Sequence, residues 1–289
     1  MKRVEENETM GLNKQSGIRH IILLFLLFLA GDLLSSIPFD LIFPHLDLPA
    51  GWMYRVPRIL GCIILTCLFF WLYGKYVLHQ SLADFRITFR FHQDSFFVAV
   101  LLPMFVIAVY SFFGKATITS DLGLGEIVDL ILSSLFYALK AGILEEILFR
   151  GFIMTMAEKR WNRYIAIVVP SLLFSLVHIP SMIYFSAVGC ILLVVSGTMV
   201  GIMFSLVAYK DGSIGGSILL HVLWNFVIAT DITNIAYNEA NVYSALFTIS
   251  LPSDNVLLTG AGFGVEASIV AIIGYLFVCI WAMYKMKRN

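Results

Sequence analysis

Four ionisable side chains fall within eleven residues of an otherwise apolar stretch, ALKAGILEEILFRGF at 138–152: Lys140, Glu145, Glu146 and Arg150. Two adjacent carboxylates in a low-dielectric setting cannot both ionise cheaply. Glu146 and Arg150 are four residues apart and share one helix face, with the acid on the favourable N-terminal side of the cation. That pairing neutralises Glu146. Glu145 points about 100° away around the helix and has no cation four residues on. The spacing therefore leaves one carboxylate paired and one free to titrate, a separation of roles that general acid–base catalysis uses. The competing reading is a salt bridge that only ties helices together.

Two further polar pairs lie downstream. FSLVHIP places Phe174 and His178 one turn apart, and HVLWNF places His221 and Asn225 one turn apart on a shared face. Taken singly, an intramembrane His is more often a packing residue than a catalyst. Polar residues in spans also serve simply as hydrogen bonds between helices.

The elements that carry these residues follow from composition. The chain has 289 residues, of which 60% are hydrophobic and 13% charged, with no net charge. Soluble domains carry about 25% charged residues, so the class is an all-α polytopic membrane protein. No basic block points to nucleic acid. Eight apolar runs approach the roughly 20 residues a spanning helix needs: 18–37, 58–79, 95–114, 125–150, 163–183, 186–209, 213–230 and 265–285. The fourth is expected to continue as helix towards residue 157. Residues 1–17 read as a polar cytosolic tail and 18–289 as a single transmembrane domain, with a core at about 125–230.

Lys and Arg orient the spans. With the N-terminus inside, fourteen of the nineteen fall in inside segments, Arg55, Arg58 and Lys115 fall outside, and Lys140 and Arg150 fall in a span. Both termini are then cytosolic, and 231–264, which has no Lys or Arg, is an exterior loop. The first apolar run reads as a span rather than a cleaved leader, since no A-x-A site follows it. The four cysteines, Cys62, Cys67, Cys190 and Cys279, lack metal-site spacing and read as buried thiols. Gly197 and Gly201 form a small-xxx-small pair suited to close helix packing. Asp32 and Asp129 are expected near outer span ends, in reach of water. Lys140 has no evident partner.

Depth brings the polar pairs together. At 1.5 Å per residue from the cytosolic ends, Glu145 lies roughly 18 Å in, His178 roughly 22 Å and His221 roughly 12 Å. Two Glu, two His and one Asn thus share a layer, the more so if the KDGSIGG turn before His221 is itself sunk.

Glu145-Glu146 with Arg150, then Phe174 with His178, then His221 with Asn225, give EExxxR, FxxxH and HxxxN in order on consecutive helices. This set resembles the CPBP family, which comprises the type II CAAX prenyl endopeptidases and the bacterial Abi proteins of bacteriocin processing and immunity. The resemblance covers roughly 125–230. It implies an eight-helix intramembrane endopeptidase with a cavity reached from the membrane or the cytosol. It implies that Glu145 and His178 activate a water, that His221 and Asn225 stabilise the oxyanion, and that Glu146 and Arg150 shape the site, with Phe174 supporting.

The expected chemistry is peptide hydrolysis with Glu145 as general base and preorganised donors at the oxyanion. The expectation is of no cofactor. The nearest rival is a zinc-dependent version, since the family is often labelled metalloprotease. Glu145, His178 and His221 would then be the ligands, although H-E-x-x-H is absent. A non-catalytic scaffold or bacteriocin-immunity protein is the alternative of another class. A proton-relaying transporter would need repeats, and none is visible. The expected partners are membrane lipids and a membrane-associated peptide or protein. The compact chain suits a prokaryotic plasma membrane, where pheromone or bacteriocin precursors or membrane-protein tails are better substrates than prenylated tails. Oligomeric state is not legible.

Overall fold

The structure is a computed structural model that describes residues 14–46, 51–118, 122–237 and 245–288. It is an all-α polytopic membrane protein. Helix α1 spans Lys14–Ile42, α2 Trp52–Tyr76 and α3 Gln93–Phe113. Helix α4, Leu124–Glu146, runs without a break through a π-helical stretch, Ile147–Ile153, into α5, Met154–Arg160. Then come α6, Arg163–Val177, α7, Ala187–Asp211, and α8, Gly215–Trp224, which ends in a π turn, Asn225–Ala229. A short α9, Val256–Thr259, precedes the last helix, α10, Ile269–Arg288.

Among the described residues, seven helical units are long and apolar enough to cross a membrane, and the fourth extends from Leu124 to Arg160. Where the sequence predicts a span over 213–230, the structure has the shorter Gly215–Ala229. Such a helix covers only about 22 Å at 1.5 Å per residue, less than the roughly 30 Å of a hydrocarbon core. Its start is sunk for a local reason. The Ile214 N–H donates to the Arg86 carbonyl at 3.0 Å, and the Ser213 hydroxyl donates to the Thr88 carbonyl at 2.6 Å. Gly215 lies so close to the Phe89–Arg90 backbone that a Cβ there would stand 2.3 Å from the Arg90 oxygen. The turn before it can form because Gly212 takes the left-handed conformation that closes α7, at φ +63°.

The short helix is the middle of the bundle. It packs against α3, α4 and α7, and most of its residues are buried. Around it, α1 lies on α2, α2 on α4, α6 on α7, and α7 on α10. Without a water-driven hydrophobic effect between spans, small residues decide how near two helices come. The expected close packing at Gly197 and Gly201 is present: a Cβ on Gly201 would stand 2.6 Å from Ser171 Cβ, and one on Gly197 3.0 Å from Ser175 Cβ. At Gly142 a Cβ would meet Val222 Cγ2 at 2.5 Å, so α4 touches α8 one turn before its paired acids.

The segment expected as an exterior loop is folded. Strand β2, Thr233–Ala236, pairs in parallel with β3, Phe247–Ser250, which pairs antiparallel with β1, Lys115–Ile118, directly after α3. Residues 238–244 of that segment, and residues 1–13 of the expected tail, lie outside the described residues. Lys140 finds its partner on α1, where its Nζ is 2.5 Å from Asp32 Oδ1. Asp129 is paired with Arg55 at 3.6 Å. The four cysteines are free thiols; Cys62 and Cys279 are buried, whereas Cys67 and Cys190 are only partly so.

Gly201→Ala should destabilise the bundle. The added methyl meets Ser171 backbone and Cβ atoms that cannot swing away, and overpacking of this kind costs about 1–3 kcal/mol. The thermal unfolding midpoint in mild detergent should fall by several degrees; an unchanged midpoint would show that α6 and α7 are not held this closely.

Candidate active site

Helix α4 delivers Glu145 and Glu146 on different faces, and the π stretch that follows delivers Arg150 back towards Glu146. Arg150 and Glu146 are fully buried, with Arg150 Nη1 donating to Glu146 Oε1 at 3.0 Å. Arg150 Nη2 donates to the Gly201 carbonyl at 3.2 Å, which the close approach of α6 and α7 brings into the interior. Three rings enclose the guanidinium, with its carbon 4.6 Å from the Phe174 centroid, 5.0 Å from that of Phe204 and 5.7 Å from that of Phe149. A cation over desolvated ring faces is attracted by their quadrupoles.

Glu146 serves a second donor. Nδ1 of His221, on α8, lies 3.0 Å from the same Oε1. Since Arg150 holds Glu146 as an acceptor, the Nδ1 proton of His221 points at Glu146 and Nε2 points away from it. Phe204 stacks on the imidazole at 4.8 Å and 17°, which fixes the ring plane. His178, the residue after the last turn of α6, is oriented in a comparable way: its Nδ1 lies 2.6 Å from the Phe174 carbonyl. A carbonyl only accepts, so that nitrogen is the donor and Nε2 is left with its lone pair. Phe174 also packs its ring on His178, at 4.6 Å. The FxxxH spacing thus sets both the tautomer and the ring position.

Both free Nε2 atoms face Glu145. Its Oε2 is 3.8 Å from His178 Nε2 and 3.9 Å from His221 Nε2, and it is buried without a hydrogen-bond partner among the described residues. These distances are too long for direct bonds and suit a water shared between carboxylate and imidazole. Asn225 opens the π turn one turn beyond His221 and, with Glu145, His178 and His221, lines a cavity of about 540 Å³. All seven residues singled out from the sequence therefore gather in one place, in two layers: Glu145, His178, His221, Asn225 and Phe174 on the cavity wall, Glu146 and Arg150 behind it.

A Glu with two imidazoles is a donor set that zinc accepts, but the three are not drawn to ligand spacing here. Ligands at about 2.0–2.1 Å in a tetrahedron stand roughly 3.3 Å apart, closer than the 3.8 and 3.9 Å that separate Glu145 from the two imidazoles. Among the described residues, three such atoms do come within 4.8 Å of one another at His92, Asp94 and Asp211. There Lys210 pairs with both acids and Lys285 adds a second contact to Asp94, so two cations balance the two carboxylates.

The cavity wall also holds a carboxylate that motif spacing does not reveal. Glu266, in the 3-10 turn Val265–Ala267, lines the same cavity and accepts from Trp224 Nε1 at 2.9 Å. Burial raises its carboxyl above the usual carboxylate range, against the pull of Trp224 and of the two imidazoles. The signal was present in sequence: Glu266 is the one acidic residue in the predicted last span, 265–285, and such residues default to function.

The class defined so far is an integral membrane bundle that turns a Glu, two imidazoles and an amide into one cavity. Residues 127–227 match the family model described as Rce1-like, type II CAAX prenyl endopeptidase Rce1-like. The match runs from α4 to the π turn and contains every motif residue, and it supports the CAAX-protease family that the motifs resemble. Comparison with curated proteins and with solved structures returned no match.

Glu146→Ala should cost about 3–5 kcal/mol of stability, because it leaves a buried guanidinium without its counter-charge. Glu146→Gln, which keeps an oxygen that can accept from Arg150, should lose less. Folded yield and unfolding midpoint of the two variants check the order; an Ala variant as stable as wild type would refute the pairing as the support of the site.

Proposed function

We propose that the protein is an intramembrane endopeptidase that hydrolyses peptide bonds of membrane-associated peptides or proteins, using a water activated by Glu145 and His178. The observation that carries this reading is the unpartnered Glu145 Oε2 facing two imidazole Nε2 atoms at 3.8 and 3.9 Å on the wall of a cavity. His178 Nε2, with its lone pair free, and Glu145 hold the water between them. As the water attacks the peptide carbonyl, Glu145 takes its proton, and it returns that proton to the leaving amine when the tetrahedral intermediate collapses and the C–N bond breaks. The oxygen that becomes negative lies against the Asn225 amide and His221 Nε2. With the Nδ1 proton directed at Glu146, His221 offers an Nε2–H only when both ring nitrogens are protonated. Glu146, 3.0 Å from Nδ1, is the counter-charge such a ring would need. Glu146, Arg150 and Phe174 act by positioning.

No zinc enters this chemistry. The substrate partner is a membrane-associated chain, and lipids are the solvent of the bundle. The setting of this reading is a plasma membrane of prokaryotic type; the excess of Lys and Arg in alternate connecting segments supports a cytosolic N-terminus, and the sunk α8 together with the segment after it makes the eighth crossing that returns the C-terminus to the cytosol. The scaffold reading has no use for a Glu facing two imidazoles.

Three measurements test the reading. Glu145→Gln keeps size and removes the base, and should abolish cleavage of membrane peptides while the protein still folds. Asn225→Ala should lower kcat by about 10²–10³-fold, the usual effect of removing one oxyanion donor; full activity in either variant sinks its assigned role. Activity of purified protein should also survive a strong chelator; loss that zinc restores would move Glu145, His178 and His221 into a metal site.

A further inference from the structure

Glu266 takes no part in the hydrolysis described above, yet its carboxylate is held in the same cavity as Glu145, His178, His221 and Asn225. It is a placed group, not a loose surface acid. Trp224, the residue before Asn225, donates to Oε1 at 2.9 Å, and the Tyr275 hydroxyl donates to the Glu266 backbone carbonyl at 3.2 Å. The residues that follow, Ala267 and Ser268, are fully buried.

The charges around the site do not provide for it. Arg150 offsets Glu146, and Glu145 faces the two imidazoles. Glu266 has no ion pair among the described residues, and the cavity wall contains neither Lys nor Arg. A carboxyl that burial inclines to keep its proton becomes a carboxylate when a cation arrives with the substrate, and offers an anion no counter-charge. A free C-terminal carboxylate, as at the end of a trimmed tail, finds no counter-charge here.

We propose that Glu266 is a specificity-determining residue that receives an ammonium or guanidinium group of the substrate at one fixed position beside the scissile bond. This rests on the endopeptidase reading. The preferred substrates are then membrane-associated peptides with a basic residue, or a free N-terminal amine, beside the cut, and segments that would place a carboxylate there are rejected.

The test compares peptide termini in membranes of cells carrying wild type, Glu145→Gln, Glu266→Gln or Glu266→Lys. Sites cut by wild type and spared by Glu145→Gln should be enriched about tenfold or more for Lys or Arg at one flanking position, the ratio expected for a hydrogen bond between charged groups. Glu266→Gln keeps an acceptor for Trp224 and should remove that enrichment, whereas Glu266→Lys should shift it to Asp and Glu. Acetylated and free-amine versions of a cut peptide then separate an N-terminal amine from a side chain. Cutting without the basic bias, or with the same bias in Glu266→Gln, overturns the proposal and leaves the hydrolytic chemistry intact. A folded Glu266→Gln that cuts nothing also overturns it, by giving the carboxylate a part in the chemistry itself. The absence of any site that depends on Glu145 removes the endopeptidase reading, and this inference with it.

Discussion

A guanidinium fully enclosed by a helical bundle is the constraint from which the rest of the site follows. Arg150 cannot shed its charge, so the protein must supply an anion, further acceptors and polarisable walls. The anion is Glu146 on α4, the acceptor is the Gly201 carbonyl on α7, and the walls are Phe149, Phe174 and Phe204 from three segments. Satisfying one cation therefore draws α4, α6 and α7 to a point. Because Glu146 Oε1 also accepts from His221, α8 joins them, and the imidazole is turned so that its other nitrogen meets Glu145. The reactive face is in this sense a by-product of solving a burial problem one layer behind it.

Close helix contacts make the arrangement possible. Gly201 offers its carbonyl to Arg150 at the point where α6 passes within Cβ distance of it, and Gly142 lets α4 and α8 touch beside the paired acids. Two π-helical stretches flank the contact between Glu146 and His221, one beginning directly after Glu146 and the other at Asn225. Such widened turns recur at functional sites. Here they fall where polar groups must be aimed inward from two helices at once.

The local features of this site were legible because they obey helix periodicity. The Glu146–Arg150 pair, the turn linking Phe174 to His178, and the His221–Asn225 face all follow from residues four apart, and the glycine pair on α7 does as well. Features that depend on tertiary partners were not legible. Lys140 had no explanation because its counter-ion, Asp32, is 108 residues away on another helix; Asp32 itself read as a group reaching water. Composition could not tell that 213–230 forms a helix too short to span, because the cause is a backbone contact with residues 86–90. The Lys- and Arg-free segment 231–264 looked like a bare connection, yet it pairs with β1 and leads into the turn that carries Glu266. Strand pairing between remote segments leaves no periodic trace in either.

The continuity of α4, the π stretch and α5 sets a limit on the length of this helix. Glu145 and Glu146 differ only in the direction they face, so the helix tells the two carboxylates apart by angular address alone. Below them the π stretch uses one more residue per hydrogen-bonded ring than an α turn would. Beyond it, α5 must still present Thr155 and Glu158 to Arg86, at 3.2 and 2.5 Å. Deleting one residue between 147 and 153 would turn everything downstream by about 100° while leaving every motif letter in place. This stretch can tolerate exchange of side chains far more readily than a change in their number.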